Sequence, residues 1–187
     1  VLQAKYGANR THASGDDVYR LPVENDVGTG YAAIWDTGGT DALRHDGPLD
    51  AVLDLRAATL RYEDGGGGHV SHALSVEGGG VRPIYGGFTI ANGVAIENAV
   101  GGDGDDTALG NGADNRLVGR GGDDRMIAFG GRDVVIGGAG ADALDGGEGD
   151  DRIVGGAGSD TLSGNEGDDR VHGGEGPDEI FGFVGAD

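Results

Sequence analysis

Aspartate returns every nine residues through the second half of this chain. The series is Asp106, Asp124, Asp133, Asp142, Asp151, Asp160, Asp169, Asp178 and Asp187, with Asn115 as its single substitution. Each member stands in a glycine-rich stretch, so a carboxylate that supplies charge lies beside backbone carbonyls that a turn leaves free of ladder pairing. Clustered hard oxygens of this kind are the ligands calcium takes. A second candidate is the D-x-G-G-x-D string holding Asp36, Gly38, Gly39 and Asp41, which brings two carboxylates and flexible backbone together with no cationic neighbour.

Other chemistry is thinly represented. His69 and His72 are the one close histidine pair, and they fall in a glycine-rich loop with no helix to align them for zinc. His12, His45 and His172 are isolated and read as surface residues, whereas Trp35 reads as core. Ser14, Ser71, Ser75, Ser159 and Ser163 stand in no nucleophile motif. The G-x-G-x-x-G strings lack the following helix that a dinucleotide site requires. Neither a catalytic residue nor an organic cofactor is expected in this chain.

The elements that must position the aspartates follow from the period. Residues 101–187 divide without insertion into nine blocks of nine and a partial tenth, beginning GGDGDDTAL and GNGADNRLV. Glycine at positions one, two and four suits a turn that needs positive φ, and position eight is apolar throughout, from Ala108 and Leu117 to Val171 and Ile180. Each block reads as a six-residue turn and a three-residue strand with one inward side chain, flanked by outward residues such as Arg152 and Val154. Two blocks make one coil of 18 residues with a strand on each face, so blocks i and i+2 stack. One row of turns then aligns Asp106, Asp124, Asp142, Asp160 and Asp178, and the other aligns Asn115, Asp133, Asp151, Asp169 and Asp187. Ions between stacked turns, spaced at about 4.8 Å, would take the aspartates and turn carbonyls, those of Gly101, Gly119, Gly137, Gly155 and Gly173 included. Such a stack holds up to about eight calcium ions.

Charge makes a cation necessary. The chain carries −20, of which residues 101–187 contribute −14 from 20 acidic and 6 basic side chains. Two inward apolar side chains per coil are too few to offset the ordering of so many glycine-rich residues, and like charges repel on compaction. Clusters of Lys and Arg that bind phosphate are absent, which argues against nucleic acid as a partner. Cysteine is absent, which excludes disulfides and thiolate metal sites. No apolar run approaches the roughly 20 residues needed to span a bilayer, no signal peptide is visible at Val1, and the chain reads as part of a longer protein.

Residues 1–100 show short β-type runs at Val18–Leu21, Tyr31–Trp35, Val52–Leu55, Ala73–Val76 and Phe88–Ile90, with a loop at Glu63–His72. The fold class expected is all-β. An irregular β-sheet adaptor over 1–100 leads into a parallel β-roll, a two-faced β-solenoid, over 101–187.

The blocks match the nonapeptide GGxGxDxUx, and over its second half the chain resembles the RTX (hemolysin-type) calcium-binding repeats. In the first half Tyr6–Tyr19 (YGANRTHASGDDVY), Trp35–Leu43 (WDTGGTDAL) and Ile90–Asn98 (IANGVAIEN) resemble, in order and separation, the C-terminal non-catalytic region of serralysin-type secreted metalloproteases. That resemblance implies two further calcium ions. The first would take main-chain oxygens of Ala13, Gly15 and Gly38 with Asp17, Asp36 and Asp41; the second would take Gly39, Asp41, the Ala95 carbonyl and Glu97. Ala13, Asp17 and Ala95 differ in type from the family pattern. The zinc motif H-E-x-x-H-x-x-G-x-x-H of such proteases is absent from this sequence. The resemblance therefore implies a non-catalytic folding and secretion module of a secreted, extracellular, serralysin-like zinc metalloprotease. Type I secretion machinery would export it, the catalytic domain would lie upstream of Val1, any C-terminal export signal would lie beyond Asp187 or have been lost, and the module would be monomeric. The alternative is the same module in an adhesin, a lipase or a polysaccharide-modifying enzyme, where it would contribute stability or surface binding.

Overall fold

Short runs of alternating inward and outward side chains build strands throughout. The computed structural model describes residues 15–21, 31–34, 36, 38–57, 72–77, 80–83, 87–90 and 93–185. Among them, eight strands precede the repeats: β1 (Val18–Arg20), β2 (Tyr31–Ile34), β3 (Ala42–Arg44), β4 (Ala51–Asp54), β5 (His72–Glu77), β6 (Gly80–Pro83), β7 (Gly87–Ile90) and β8 (Asn98–Val100). Nine more lie within the repeats: β9 (Thr107–Asn111), β10 (Arg116–Gly121), β11 (Arg125–Phe129), β12 (Val134–Ala139), β13 (Ala143–Glu148), β14 (Arg152–Ala157), β15 (Thr161–Glu166), β16 (Arg170–Glu175) and β17 (Glu179–Val184). No helix occurs among the described residues, and so none is long and apolar enough to cross a membrane.

One sheet runs β1-β3-β8-β10-β12-β14-β16, the other β17-β15-β13-β11-β9-β4-β5-β6, and β2 pairs with β7 apart from both. Within the repeats every pairing is parallel and in register with the residue 18 positions on, as Leu117 with Val135, Val135 with Ile153 and Met126 with Leu144. The protein is a parallel β-solenoid of about 5 turns with ~18 residues per turn. Alternate blocks stack because their inward residues fall in line: Leu117, Val135 and Ile153 on one wall face Met126, Leu144 and Leu162 on the other, all buried. Burial fails at the far end, where Ile180 is 49 % exposed.

The strands are longer than three residues. Most span six, continuing through positions one to three of the next block, so position one points inward along with position eight. Glycine at position one also has a different reason from the one expected. Positive φ occurs at positions two and four, for instance Gly138 (125°) and Gly140 (135°), whereas position one keeps ordinary φ and is glycine because of close approach.

All five runs expected in residues 1–100 contain strands. The expectation missed β3, β6 and β8, and β3 and β8 are three-residue segments that become strands only by pairing with each other across more than fifty positions, Leu43 opposite Ala99. Because β3 pairs with β8 and β4 with β9, residues 42–54 form one further coil beneath the first repeat. The hydrogen-bonded stack therefore runs across the compositional boundary at residue 100. Trp35 and the Glu63–His72 loop lie outside the described residues, except His72, which opens β5.

Candidate metal centres

Parallel stacking at 18 residues puts each position-six aspartate directly against the next. The backbone N–H of Asp106 donates to Asp124 Oδ1 at 2.8 Å, that of Asp124 to Asp142 at 2.9 Å, that of Asp142 to Asp160 at 2.9 Å and that of Asp160 to Asp178 at 3.1 Å. The other row repeats the pattern, from Asn115 to Asp133 at 2.6 Å, Asp133 to Asp151 at 2.8 Å and Asp151 to Asp169 at 2.9 Å. One oxygen of each carboxylate is thereby held. The second, Oδ2, is buried with no donor in Asp124, Asp133, Asp142, Asp151, Asp160 and Asp169. A carboxylate oxygen buried and unpaired is strongly disfavoured.

All of these orphaned oxygens but that of Asp133, whose block has Ala128 at position one, face a glycine at a place where no side chain would fit. An ideal Cβ on Gly119 would collide with Asp124 Oδ2 and lie 2.6 Å from the Gly137 carbonyl oxygen. The same holds at Gly137, against Asp142 Oδ2 and the Gly155 carbonyl at 2.7 Å, and at Gly155, against Asp160 Oδ2 and the Gly173 carbonyl at 2.5 Å. Carboxylate and carbonyl oxygens from successive coils thus converge without a donor between them, a hard-oxygen set that suits calcium. Burial pushes the Asp124 carboxyl up to about 8, Asp133 up to about 7, and Asp142 and Asp151 up to about 6. Donated N–H groups partly offset that rise, and neighbouring aspartates add to it. A divalent cation removes the cause by compensating the buried charge.

Of the sequence-derived roll residues, Asp106 and Asn115 stand in these rows with both polar atoms of their side chains already hydrogen-bonded. Gly101 stands against Asp106 as the later position-one glycines stand against theirs. Asp178 is half-buried, and Asp187 lies outside the described residues.

A second cluster forms below the repeats. Carboxylate oxygens of Asp17, Asp36 and Asp41 all lie within 4.8 Å of one another. The same ladder builds it: Asp17 N–H donates to Asp41 Oδ1 at 2.9 Å, and Asp41 N–H to Glu97 Oε2 at 2.8 Å. Gly39, with φ of 129°, approaches Gly15 so closely that a Cβ would collide with the Gly15 carbonyl oxygen, while Gly38 N–H donates to Asp36 Oδ1 at 3.1 Å. Burial, followed by the neighbouring Asp36 and Glu97 and offset by the Asp17 N–H, holds the Asp41 carboxyl above its ordinary range. Ala95, two residues before Glu97, is exposed, and Ala13 lies outside the described residues.

Sequence reasoning missed three participants. Tyr19 donates its hydroxyl to Asp36 Oδ2 at 2.5 Å, and its place two residues after Asp17 on a strand was the available signal. Asn111, which replaces glycine at position two, donates to the Leu55 and Ile96 carbonyls at 3.2 and 2.9 Å. His45, expected at the surface, is fully buried with neither ring nitrogen hydrogen-bonded, because β3 carries it into the stack. His172 is exposed as expected, and His12 and His69 lie outside the described residues.

Comparison with known proteins agrees with this geometry. The family model for the RTX calcium-binding nonapeptide repeat matches residues 100–128, 127–162 and 163–187. A serralysin of Proteus mirabilis is 34 % identical over 118 residues, covering 57 % of this chain and 20 % of that protein. Serralysins of Photorhabdus luminescens and Dickeya chrysanthemi, the latter serralysin C, are 36 % identical over 117 and 116 residues with the same coverage. The chain thus spans about a fifth of the length of the curated relatives it matches. Residues 100–187 are an array of RTX calcium-binding nonapeptide repeats, in a chain homologous to the serralysins.

Proposed function

We propose that this chain is the calcium-dependent folding and export module of a secreted serralysin-like metalloprotease, with residues 1–100 as adaptor and 101–187 as roll. The observation that carries the reading is the set of six buried aspartate oxygens without a donor. The roll's ligands are its position-six side chains and position-one carbonyls. In the adaptor they are Asp17, Asp36, Asp41 and Glu97 with the carbonyls of Ala13, Gly15, Gly38, Gly39 and Ala95. Extracellular calcium modules bind at roughly 10⁻⁴–10⁻³ M. In a calcium-poor cytosol the acidic repeats stay unfolded and can thread through a type I export channel; outside, ion binding and folding are one event. Peptide hydrolysis belongs to a separate catalytic domain of the full-length protein, and this chain performs no chemistry of its own.

Circular dichroism with and without a chelator tests this. Most of the strand signal is expected to vanish on chelation and return with calcium. An unchanged signal would show that the core holds the roll unaided and would overturn calcium-dependent folding.

A further inference from the structure

The first coil of the repeats closes both side-chain polar atoms of its position-six residues with protein groups, whereas the aspartates from Asp124 to Asp169 keep one oxygen without a donor. Gly102 N–H donates to Asp106 Oδ2 at 2.7 Å and Ala51 N–H to its Oδ1 at 2.6 Å. Asn111 N–H donates to Asn115 Oδ1 at 2.8 Å, and Asn115 Nδ2 donates to the Glu97 carbonyl at 3.1 Å and to Asn111 Oδ1 at 3.3 Å. Both closures depend on position two. Gly102 and Asn111 keep ordinary φ and aim their N–H at the position-six side chain of their own block. From the third block on, position two has positive φ, at Arg120 (88°), Phe129 (78°), Gly138 (125°) and their successors, and the aspartates from Asp124 to Asp169 lose that donor.

The coil beneath completes the closure. Ala51 stands where a further position-six carboxylate would, since its neighbours Val52 and Leu53 pair with Thr107 and Ala108. His45 continues β3 into position one, where the repeats have glycine, and its buried ring lies under Gly102, with Cδ2 3.1 Å from an ideal Cβ there. On the opposite row, the Asn115 amide places two N–H donors where an aspartate would place a second acceptor. It joins coils by hydrogen bond at a point where later coils present only oxygens to one another.

We propose that residues 101–118 are a protein-closed cap on the calcium array: Asp106 and Asn115 take hydrogen bonds where later coils take ions, the array begins at Asp124 and Asp133, and this coil stays folded without metal. The part concerning ions rests on the calcium reading above; the closure does not. In a nearly one-dimensional stack a coil that is stable alone is the place from which ordering spreads. Metal then orders the roll from its N-terminal end.

Two measurements on the full chain decide it. In chelator, hydrogen exchange at the amide of Arg116 is expected to be at least tenfold slower than at the equivalent amides of Arg152 and Arg170; equal exchange overturns the cap. At saturating calcium, elemental analysis is expected to find the wild-type number of ions in Asp106→Asn and at least one fewer in Asp142→Asn, and equal losses overturn the closure of Asp106. Asn115→Asp is expected to gain one ion and, in chelator, to exchange at least tenfold faster across residues 107–118; neither change appearing overturns the role of the amide. A wild-type chain that binds no calcium would refute the calcium reading, while the exchange comparison in chelator would still decide the cap.

Discussion

The backbone N–H of Asp142 donates to Oδ1 of Asp160, 2.9 Å away and 18 residues on, while Oδ2 of the same Asp160 is buried without a donor. One carboxylate therefore holds two coils together with one oxygen and leaves the other for a cation. Repeated along both rows, this leaves one buried oxygen without a donor on each aspartate from Asp124 to Asp169.

Asp142→Ala removes the acceptor of the Asp124 N–H as well as an open oxygen. The calcium midpoint of folding is expected to rise about tenfold, equivalent to about 1.4 kcal/mol, with at least one ion lost. Asp150→Ala serves as the control, because Asp150 is an exposed position-five residue that accepts only the Asp168 N–H at 3.1 Å among the described hydrogen bonds. Calcium titration followed by elemental analysis separates them, and equal effects from both would argue against position six as the ligand.

Position one is sensitive to a single methyl group. Gly137→Ala puts a Cβ into Asp142 Oδ2 and 2.7 Å from the Gly155 carbonyl, so it is expected to lose an ion as Asp142→Ala does although no charge changes. Ala128 is the one natural methyl at position one of the repeats, five residues before Asp133. Ala128→Gly is accordingly expected to lower the calcium midpoint severalfold, and a midpoint that rises would show that the methyl contributes more by packing than it obstructs.

In the adaptor, Asp36→Asn keeps the size of the side chain and removes one of three charges that lie within 4.8 Å. Loss of ions from the adaptor with the roll still folded is the expected result, read as a lower ion count with an unchanged strand signal at saturating calcium. An unchanged ion count would remove Asp36 from the ligand set.

Protons and calcium compete for the same oxygens. In the metal-free fold burial raises Asp124 to about 8, Asp133 to about 7, and Asp142 and Asp151 to about 6, above the roughly 3.9 of an unfolded aspartate. Stability from the protonated groups is present in full below pH about 4 and is lost as pH rises through the range 6 to 8. The chelated chain is therefore expected to show more strand signal at pH 4.5 than at pH 8, and calcium binding is expected to release protons. A chelated chain that is less ordered at pH 4.5 would contradict burial of these carboxyls.

The roll was legible from the sequence because its determinants repeat locally. Period nine placed Leu117, Val135 and Ile153 on one wall and lined up Asp124 with Asp142, and the parallel register then followed from which side chains must share a face. The carboxylates of the adaptor cluster were legible through the family resemblance of their short stretches. What the sequence concealed depends on groups far away along the chain. His45 is buried because Leu43 pairs with Ala99, and Ala51 donates to Asp106 Oδ1 because β4 pairs with β9, each across more than fifty residues. Nor does the repeat pattern reveal that Gly102 and Gly138, the same residue at the same position, take φ of different sign. The sequence by itself determined the coil, its period and the ligand type, since each nonapeptide carries them whole; only the tertiary structure decided which coils are open to an ion, because that depends on whether the position-two backbone takes the φ that aims its N–H at the position-six side chain of its block.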